Sequence, residues 1–197
     1  MTLHILCTSF QRPIQQRILI DSLIVQTKPF WKLYIIHDGP APMQLRHIVD
    51  EYEDLRIKYF ETETVVGQWG HPNKKKLLDM IPRNHSDFVL MTNDDNYYVP
   101  KFVEMMTRRC GSFARKIGMV YCDTAHSYTQ YDVLKTQLKE NLVDMGSFIV
   151  RVDIAKKIGF DASHFSADGA YAEACANLCK RLRLEMIYIP KVLFIHN

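Results

Sequence analysis

Short apolar runs alternate with amphipathic stretches through the first half of the chain. Leu3 to Cys7, Trp31 to Ile36, Ile57 to Phe60 and Phe88 to Met91 are each bounded by turn-forming residues, the pattern of buried strands. Between the first two, Ile14, Ile18, Leu19, Leu23 and Val25 recur at near-helical spacing behind Pro13, whose missing N–H costs nothing at a first helical position. That predicts a helix to about Gln26. Leu45, Ile48, Val49 and Tyr52 fall at i, i+3, i+4 and i+7, a stripe suited to packing on a sheet. Glu61 to Asn73 has no clear period and carries Gly67, Gly70 and Pro72, so it reads as a loop feeding a short basic helix from Lys74 to Ile81. Pro100 opens a helix with Phe102, Val103, Met106 and Cys110 on one face. Strand and helix taking turns in this way predict an α/β fold with a mostly parallel central sheet and helices on both faces.

The rhythm breaks in the second half. Ile117 to Tyr121 and Gly146 to Val150 read as strands, separated by a polar, aromatic stretch from Cys122 to Asp144. Asp153 to Ile158 is a short helix stopped by Gly159, and Tyr171, Cys175, Leu178 and Leu182 mark a longer one with the cysteine in the core. Glu185 to Ile189 and Val192 to Ile195 are two β-like runs on either side of Pro190. The chain's 197 residues suffice for one well-filled core, and ten Phe, ten Tyr and two Trp leave little room for disorder. A net charge of +3 is too small to make nucleic acid the default partner. Five cysteines without a CxxC spacing argue against a disulfide framework or zinc knuckle. No stretch approaches the roughly 20 apolar residues of a membrane helix, and the N-terminus lacks a secretory core. The expectation is a soluble, cytoplasmic protein.

Ligands of open α/β sheets bind beyond the carboxyl ends of the strands, which is where Thr8, Asp38 and the pair Asp94-Asp95 fall. Adjacent carboxylates repel unless something compensates them, and a hard divalent ion such as Mg²⁺ or Mn²⁺ is the usual compensator; a helix N-terminus is the alternative. Lys74 to Lys76 read as a solvated helix face, or as a contact to phosphates. Trp69 and His71 in the preceding loop are candidates for touching a ligand or for packing. Asp123, His126, Tyr128 and Tyr131 form a polar aromatic cluster suited to stacking on a ligand, or a plain loop surface. Asp144 to Ser147 precede a strand and are candidates to line the same cleft, and Arg151 is a candidate for that cleft or a plain surface charge.

These residues sit in a sequence that resembles the family 2 glycosyltransferases, inverting enzymes of GT-A fold. Cys7-Thr8-Ser9-Phe10-Gln11-Arg12-Pro13 is similar to the family's opening P-T-Y-N-R-P. Asp21-Ser22-Leu23 through Gln26-Thr27 resembles its S-L-x-x-Q-T helix end, and Ile35-Ile36-His37-Asp38-Gly39-Pro40 resembles V-V-D-D-G-S. Leu90 to Pro100 is similar to the strand, acidic metal motif (DXD-like) and following proline, and Gly159-Phe160-Asp161 with Asp168 resembles the G-F-D and E-D segments. The resemblance implies that Thr8, Arg12, Asp38 and Asp94 bind the nucleotide sugar, with the Asp38 carboxylate accepting from the base N–H. It implies that Asp95 and His196 hold the metal, and that Asp168 is the catalytic base. Three positions depart from the pattern: His37, Asn93 and Ala167, the last standing where the E-D segment has Glu. Asp161 is the alternative base. The whole chain, 1–197, is then one glycosyltransferase domain, with about 1–100 binding the donor and about 101–197 the acceptor and the base.

The chemistry asks for the same parts. A departing nucleoside diphosphate gains negative charge that a divalent cation stabilises, and a sugar hydroxyl needs a carboxylate to take its proton. A single base and one displacement invert the anomeric centre. The expectation is therefore a metal-dependent inverting transferase moving a sugar from a nucleoside-diphosphate sugar, a UDP-sugar in the first instance, to a carbohydrate or glycan hydroxyl. The alternatives are a sugar nucleotidyltransferase, which would want a glycine-rich loop where Thr8 to Pro13 stand, and a non-catalytic nucleotide-sugar-binding module.

Overall fold

The computed structural model of the chain describes residues 1–160 and 167–197, with Ser112 and Phe113 described by their backbone alone. Among the described residues, nine strands form one sheet: β1 Leu3–Ser9, β2 Trp31–His37, β3 Ile57–Glu61, β4 Phe88–Asn93, β5 Asn96–Tyr98, β6 Ile117–His126, β7 Asp132–Leu134, β8 Phe148–Arg151 and β9 Glu185–His196. The order is β3-β2-β1-β4-β8-β6-β9-β5, with β7 paired to β6. The first four strands run parallel; β8 then enters antiparallel between β4 and β6, while β6 and β9 are parallel to each other. The mostly parallel first half and mixed second half both agree with the sequence pattern.

Helices α1 Pro13–Ile24, α2 Met43–Asp50, α3 His71–Met80, α4 Phe102–Thr107, α5 Cys110–Phe113, α6 Val152–Ile158 and α7 Ala167–Arg181 cover the sheet. All of β1 is buried, as expected of a strand covered on both faces. Its alternate residues Leu3, Ile5 and Cys7 pack with Leu19, Ile20 and Leu23 of α1 and Phe102 and Val103 of α4, whereas Leu6 joins Leu77 and Leu78 of α3, Ile154 of α6 and Tyr171 of α7. Cys175 is in the second of these layers, as the spacing suggested, and all five cysteines are buried free thiols. No helix among the described residues is long and apolar enough to cross a membrane.

The structure departs from the pattern at several elements. Ile14 and Ile18 are exposed, because α1 turns Gln16, Leu19, Ile20 and Leu23 inward and Ser9 Oγ donates to the Gln16 side-chain oxygen at 2.7 Å. The helix after Pro100 is broken into α4 and α5. Strand β6 continues to His126, well into the polar, aromatic stretch from Cys122. The two runs around Pro190 are a single strand: Cys122 pairs Ile189 and Asp123 pairs Val192, so Pro190 and Lys191 sit in a bulge where no ladder donor is required. Helix α3 starts at His71, one turn before the lysine run. Arg151 is buried beside Phe88 at the far end of the sheet rather than lying on the surface.

Candidate active-site cleft

The parallel register brings the ends of β1, β2 and β4 to one level: Thr8 lies opposite Asn93, and Ser9 opposite His37. Polar side chains crosslink this edge. Thr8 Oγ1 donates to Asn93 Oδ1 at 3.0 Å, and the Asp38 N–H donates to the Ser9 carbonyl at 2.9 Å. Buried His37 accepts from the Gln11 N–H through Nε2 at 3.2 Å, which makes Nδ1 the protonated nitrogen that donates to the Gly39 carbonyl at 2.9 Å. The residue that departs from the V-V-D-D-G-S pattern is thus a fixed-tautomer strut between the loops following β1 and β2.

Asp38 is buried and engaged. Its oxygens accept from the Val66 N–H at 2.9 Å, the Gly67 N–H at 2.8 Å and the Asn73 side-chain amide at 3.1 Å. Those bonds pin a turn in which Gly67, Gln68, Trp69 and Gly70 all have left-handed φ, 67°, 52°, 54° and 74°. Side chains other than glycine's are strained there, and such strain persists only where the surroundings hold it. Gly70 has a second reason to be glycine, since a Cβ would lie 2.8 Å from Thr8 Oγ1. A cavity of about 260 Å³ lies between this turn and the strand ends, lined by Thr8, Arg12, Asp38, Trp69, Asn93 and Asp94 among others. Four of the sequence-derived nucleotide-binding candidates, Thr8, Arg12, Asp38 and Asp94, therefore share one wall.

The acidic pair occupies the turn joining β4 to β5, ahead of the helix that starts at Phe102, and it faces Arg12, the N-cap residue of α1. Asp94 Oδ2 accepts from the Phe10 N–H at 3.0 Å, and its Oδ1 lies 3.5 Å from the Arg12 guanidinium. Burial pushes Asp94 up to about 6, against the Phe10 N–H and Arg12, which hold it down. Asp95 Oδ2 is paired to Arg12, while its buried Oδ1 has no hydrogen-bond partner among the described residues. An orphaned carboxylate oxygen beside a half-neutralised acid pair suits a divalent cation, so the residues present fit the metal that the resemblance implies at Asp95.

Of the lysine run, Lys75 and Lys76 are exposed as a solvated face would be, and Lys74 is not. Lys74 is 1% exposed. Starting α3 at His71 turns Lys74 inward, where its ammonium donates to Asn93 Oδ1 at 2.8 Å and approaches Thr8 Oγ1 at 3.4 Å and the Trp69 carbonyl at 3.5 Å. These partners are neutral, and burial lowers the lysine's pKa while Asp168, Asp95 and Asp94 nearby hold it up. The sequence signal that could have found it is its spacing: Lys74 precedes the core residues Leu77 and Leu78 by one helical turn, and so shares their face.

A second cavity, about 360 Å³, adjoins the first and shares Trp69 and Asn93 with it. Lys74, Tyr128, Asp144, Asp168 and His196 are on its wall. Asp168 stands in the first turn of α7, with a third of its side chain open to the cavity and Oδ1 3.9 Å from His71 Nε2. Burial raises its pKa above the ordinary carboxylate value, and Lys74 opposes that rise. The alternative base, Asp161, lies outside the described residues. His196 pairs in register with Asn96, next to Asp95, and Asp95 is among the charges acting on it; its Nδ1 is 2.7 Å from Asp144 Oδ2, which His126 Nε2 also meets at 3.0 Å. Asp123 is drawn away from the cleft cluster, accepting from the Thr136 N–H at 3.1 Å and the Tyr188 hydroxyl at 2.7 Å.

No protein-family model and no curated protein sequence matches the chain. Solved structures do. Residues 1–349 of S. aureus TarS superpose with a TM-score of 0.76 at 14% identity, covering 100% of this chain and 60% of that one. The same TarS fragment in complex with UDP-GlcNAc gives 0.74 at 15% identity, covering 99% and 58%. The mannosyltransferase PcManGT from Pyrobaculum calidifontis, in complex with GDP-Man and Mn²⁺, gives 0.72 at 14% identity, covering 98% and 56%. The chain thus spans about three fifths of the length of the TarS fragment and of PcManGT, and 37% of a longer TarS chain. At such identities the likeness concerns architecture, and it establishes that the α/β fold anticipated from the sequence is GT-A-like.

Proposed function

We propose that the chain is a glycosyltransferase that moves a sugar from a nucleoside-diphosphate sugar to a carbohydrate hydroxyl with inversion. The observation that carries this reading is the pair of adjoining cavities with the Lys74 ammonium buried beside them, its hydrogen-bond partners among the described residues being neutral oxygens. A charge taken out of water without an ionic partner is costly, and a diphosphate spanning the junction offsets that cost. The nucleoside half then lies against Thr8, Asp38 and Trp69, and the sugar points toward Asp168. Donor recognition falls to residues about 1–100 and acceptor recognition to about 101–197, within one domain.

In the reaction, the acceptor oxygen forms its bond to the anomeric carbon as Asp168 takes the hydroxyl proton. The bond from that carbon to phosphate oxygen breaks, and its electron pair leaves with the diphosphate. The raised pKa of Asp168 suits proton uptake. Lys74 stands where negative charge grows, and Arg12 holds Asp94 and Asp95 in place. Mn²⁺ or Mg²⁺ at Asp95, with His196 as the second ligand implied by the resemblance, supplies further neutralisation of the diphosphate when bound. UDP-GlcNAc and GDP-Man are the donors to try first, since structures of similar fold hold them.

The test is release of nucleoside diphosphate from a panel of UDP- and GDP-sugars, with and without Mn²⁺. Asp168→Asn should lower kcat by roughly 10²- to 10⁴-fold, the range of a lost general base, with little change in donor Kd. Pyrophosphate release from a nucleoside triphosphate and sugar phosphate would instead identify a nucleotidyltransferase. Donor binding with no turnover of any acceptor would leave a binding module.

A further inference from the structure

Strands β6 and β9 begin together at the end of the sheet remote from the cleft. Ile117 pairs Glu185 there, and the ten residues of β6 carry the ladder about 30 Å to His126 and His196. Cations gather around these two strand starts. Arg108 and Arg109 follow α4, and Arg115 and Lys116 lead into β6. Lys180 and Arg181 end α7, and Arg183 lies in the turn into β9. All of them are exposed. Arg109 reaches across to Glu185 at 2.7 Å, which ties the first group to the last. The segments 108–116 and 180–185 thus hold seven Arg and Lys against a single acid, a net of +6, in a chain whose whole net charge is +3. A helix C-terminus is worth about half a negative charge, so the ends of α4 and α7 account for roughly one of these cations and leave the others unexplained by capping.

The turn between α7 and β9 adds an apolar tip. The Leu182 N–H donates to the Leu178 carbonyl at 3.0 Å and the Leu184 N–H to the Cys179 carbonyl at 2.9 Å, so the chain folds back over the helix end with Arg183 at a left-handed φ of 55°. That conformation favours glycine at a helix end, yet an arginine stands there. Leu182 is left 47% exposed between Arg181 and Arg183. We propose that this end of the molecule docks on an anionic phospholipid surface, its arginines and lysines against the phosphates and Leu182 inserted beneath them. The charge selects a polyanion, and Leu182 selects among polyanions: an apolar tip gains nothing from a sugar-phosphate backbone but is buried among acyl chains. None of the described side chains in the two segments is aromatic, so nucleic-acid bases would find nothing to stack on. Docking in this way points the far ends of β6 and β9 away from the surface and leaves both cavities open.

The experiment is vesicle sedimentation of the full chain without nucleotide or metal, so its outcome is independent of the donor reading. Vesicles of phosphatidylcholine with phosphatidylglycerol should carry the protein down at low ionic strength, and vesicles of phosphatidylcholine alone should not. Binding should fall steeply as salt shortens the screening length. Arg115→Gln with Lys116→Gln, and separately Lys180→Gln with Arg181→Gln, should weaken it roughly fivefold per charge removed. Leu182→Ser should weaken it several-fold and keep the salt dependence. Lys75→Gln with Lys76→Gln, which removes the same charge from the exposed face of α3, should stay within twofold. Melting curves identify the variants that fold. Wild-type chain that stays in solution with the mixed vesicles at low salt overturns the proposal, as does equal uptake by both vesicle types or an equal loss in the α3 variant. Binding to a random-sequence RNA duplex but not to vesicles likewise overturns it, and identifies the patch as a nucleic-acid face.

Discussion

The Lys74 ammonium separates stability from function at a single residue. Its carbon chain and charge are fully enclosed, and its polar contacts are an amide oxygen, a hydroxyl and a carbonyl. Lys74→Met keeps the length and removes the charge. It should stabilise the fold by about 1–3 kcal/mol near neutral pH, as the removal of buried charge often does, while weakening donor or free nucleoside-diphosphate binding tenfold or more. The lysine's pKa is lower folded than unfolded, so in the window below its ordinary value of about 10.4 the unfolded chain holds more protons and wild-type stability rises with pH. The variant should lack that rise. Denaturant melts at several pH values with calorimetry of UDP and GDP would check it, and an unchanged nucleotide affinity would remove Lys74 from the cleft chemistry. At this scale the sequence disclosed the carboxylates, because their position after apolar runs is a local signal. It hid Lys74, because a run of three lysines looks solvated until the helix phase is known, and it hid the strut role of His37, because that role needs the loop after another strand.

Among the elements, the turn before α3 has the least local support. Four successive residues with left-handed φ do not persist without outside bonds, and here the bonds come from Asp38 to two backbone N–H groups and from Lys74 to the Trp69 carbonyl. Gly70→Ala adds a Cβ against Thr8 in a backbone region that alanine resists. It should cost roughly 1–3 kcal/mol and loosen the first cavity, seen as a lower Tm and, on the proposed function, a several-fold rise in nucleoside-diphosphate Kd. Equal Kd in the two proteins would show that the turn does not shape the site. The glycines and lack of period in this segment were readable as a loop; its handedness was not, since it depends on Asp38 from a distant strand. Pro190 shows the converse. Read locally it ends a strand, yet the long ladder with β6 absorbs it as a bulge.

Across the whole molecule, the sheet keeps its chemistry at one end and a stabilising ion pair at the other. Arg151 donates to Asp153 through Nε at 2.6 Å and a terminal nitrogen at 3.1 Å, and it also donates to the Arg115 carbonyl at 2.7 Å. Both side chains are nearly closed to solvent, and Arg151 pairs in register with Phe88, at the start of the strand whose other end leads into the acidic pair. The alternating apolar runs announced the strands that carry both ends, but nothing local marked Arg151 as interior, because its burial depends on α6 folding back over β8. Asp153→Asn leaves the guanidinium enclosed with an uncharged neighbour, at a cost of roughly 3 kcal/mol. Burial alone would raise the Asp153 pKa, but Arg151 and His85 outweigh it and hold the folded-state value below the ordinary one. A carboxylate so depressed contributes stability that is complete above its unfolded pKa of about 3.9 and disappears as pH falls through the folded value. The gap between wild type and Asp153→Asn should therefore be widest near neutral pH and close in acid, while donor Kd and turnover at low temperature stay the same. A gap that persists undiminished to about pH 2, or a variant that folds normally but no longer binds nucleotide, would show that the two ends of the sheet are not independent.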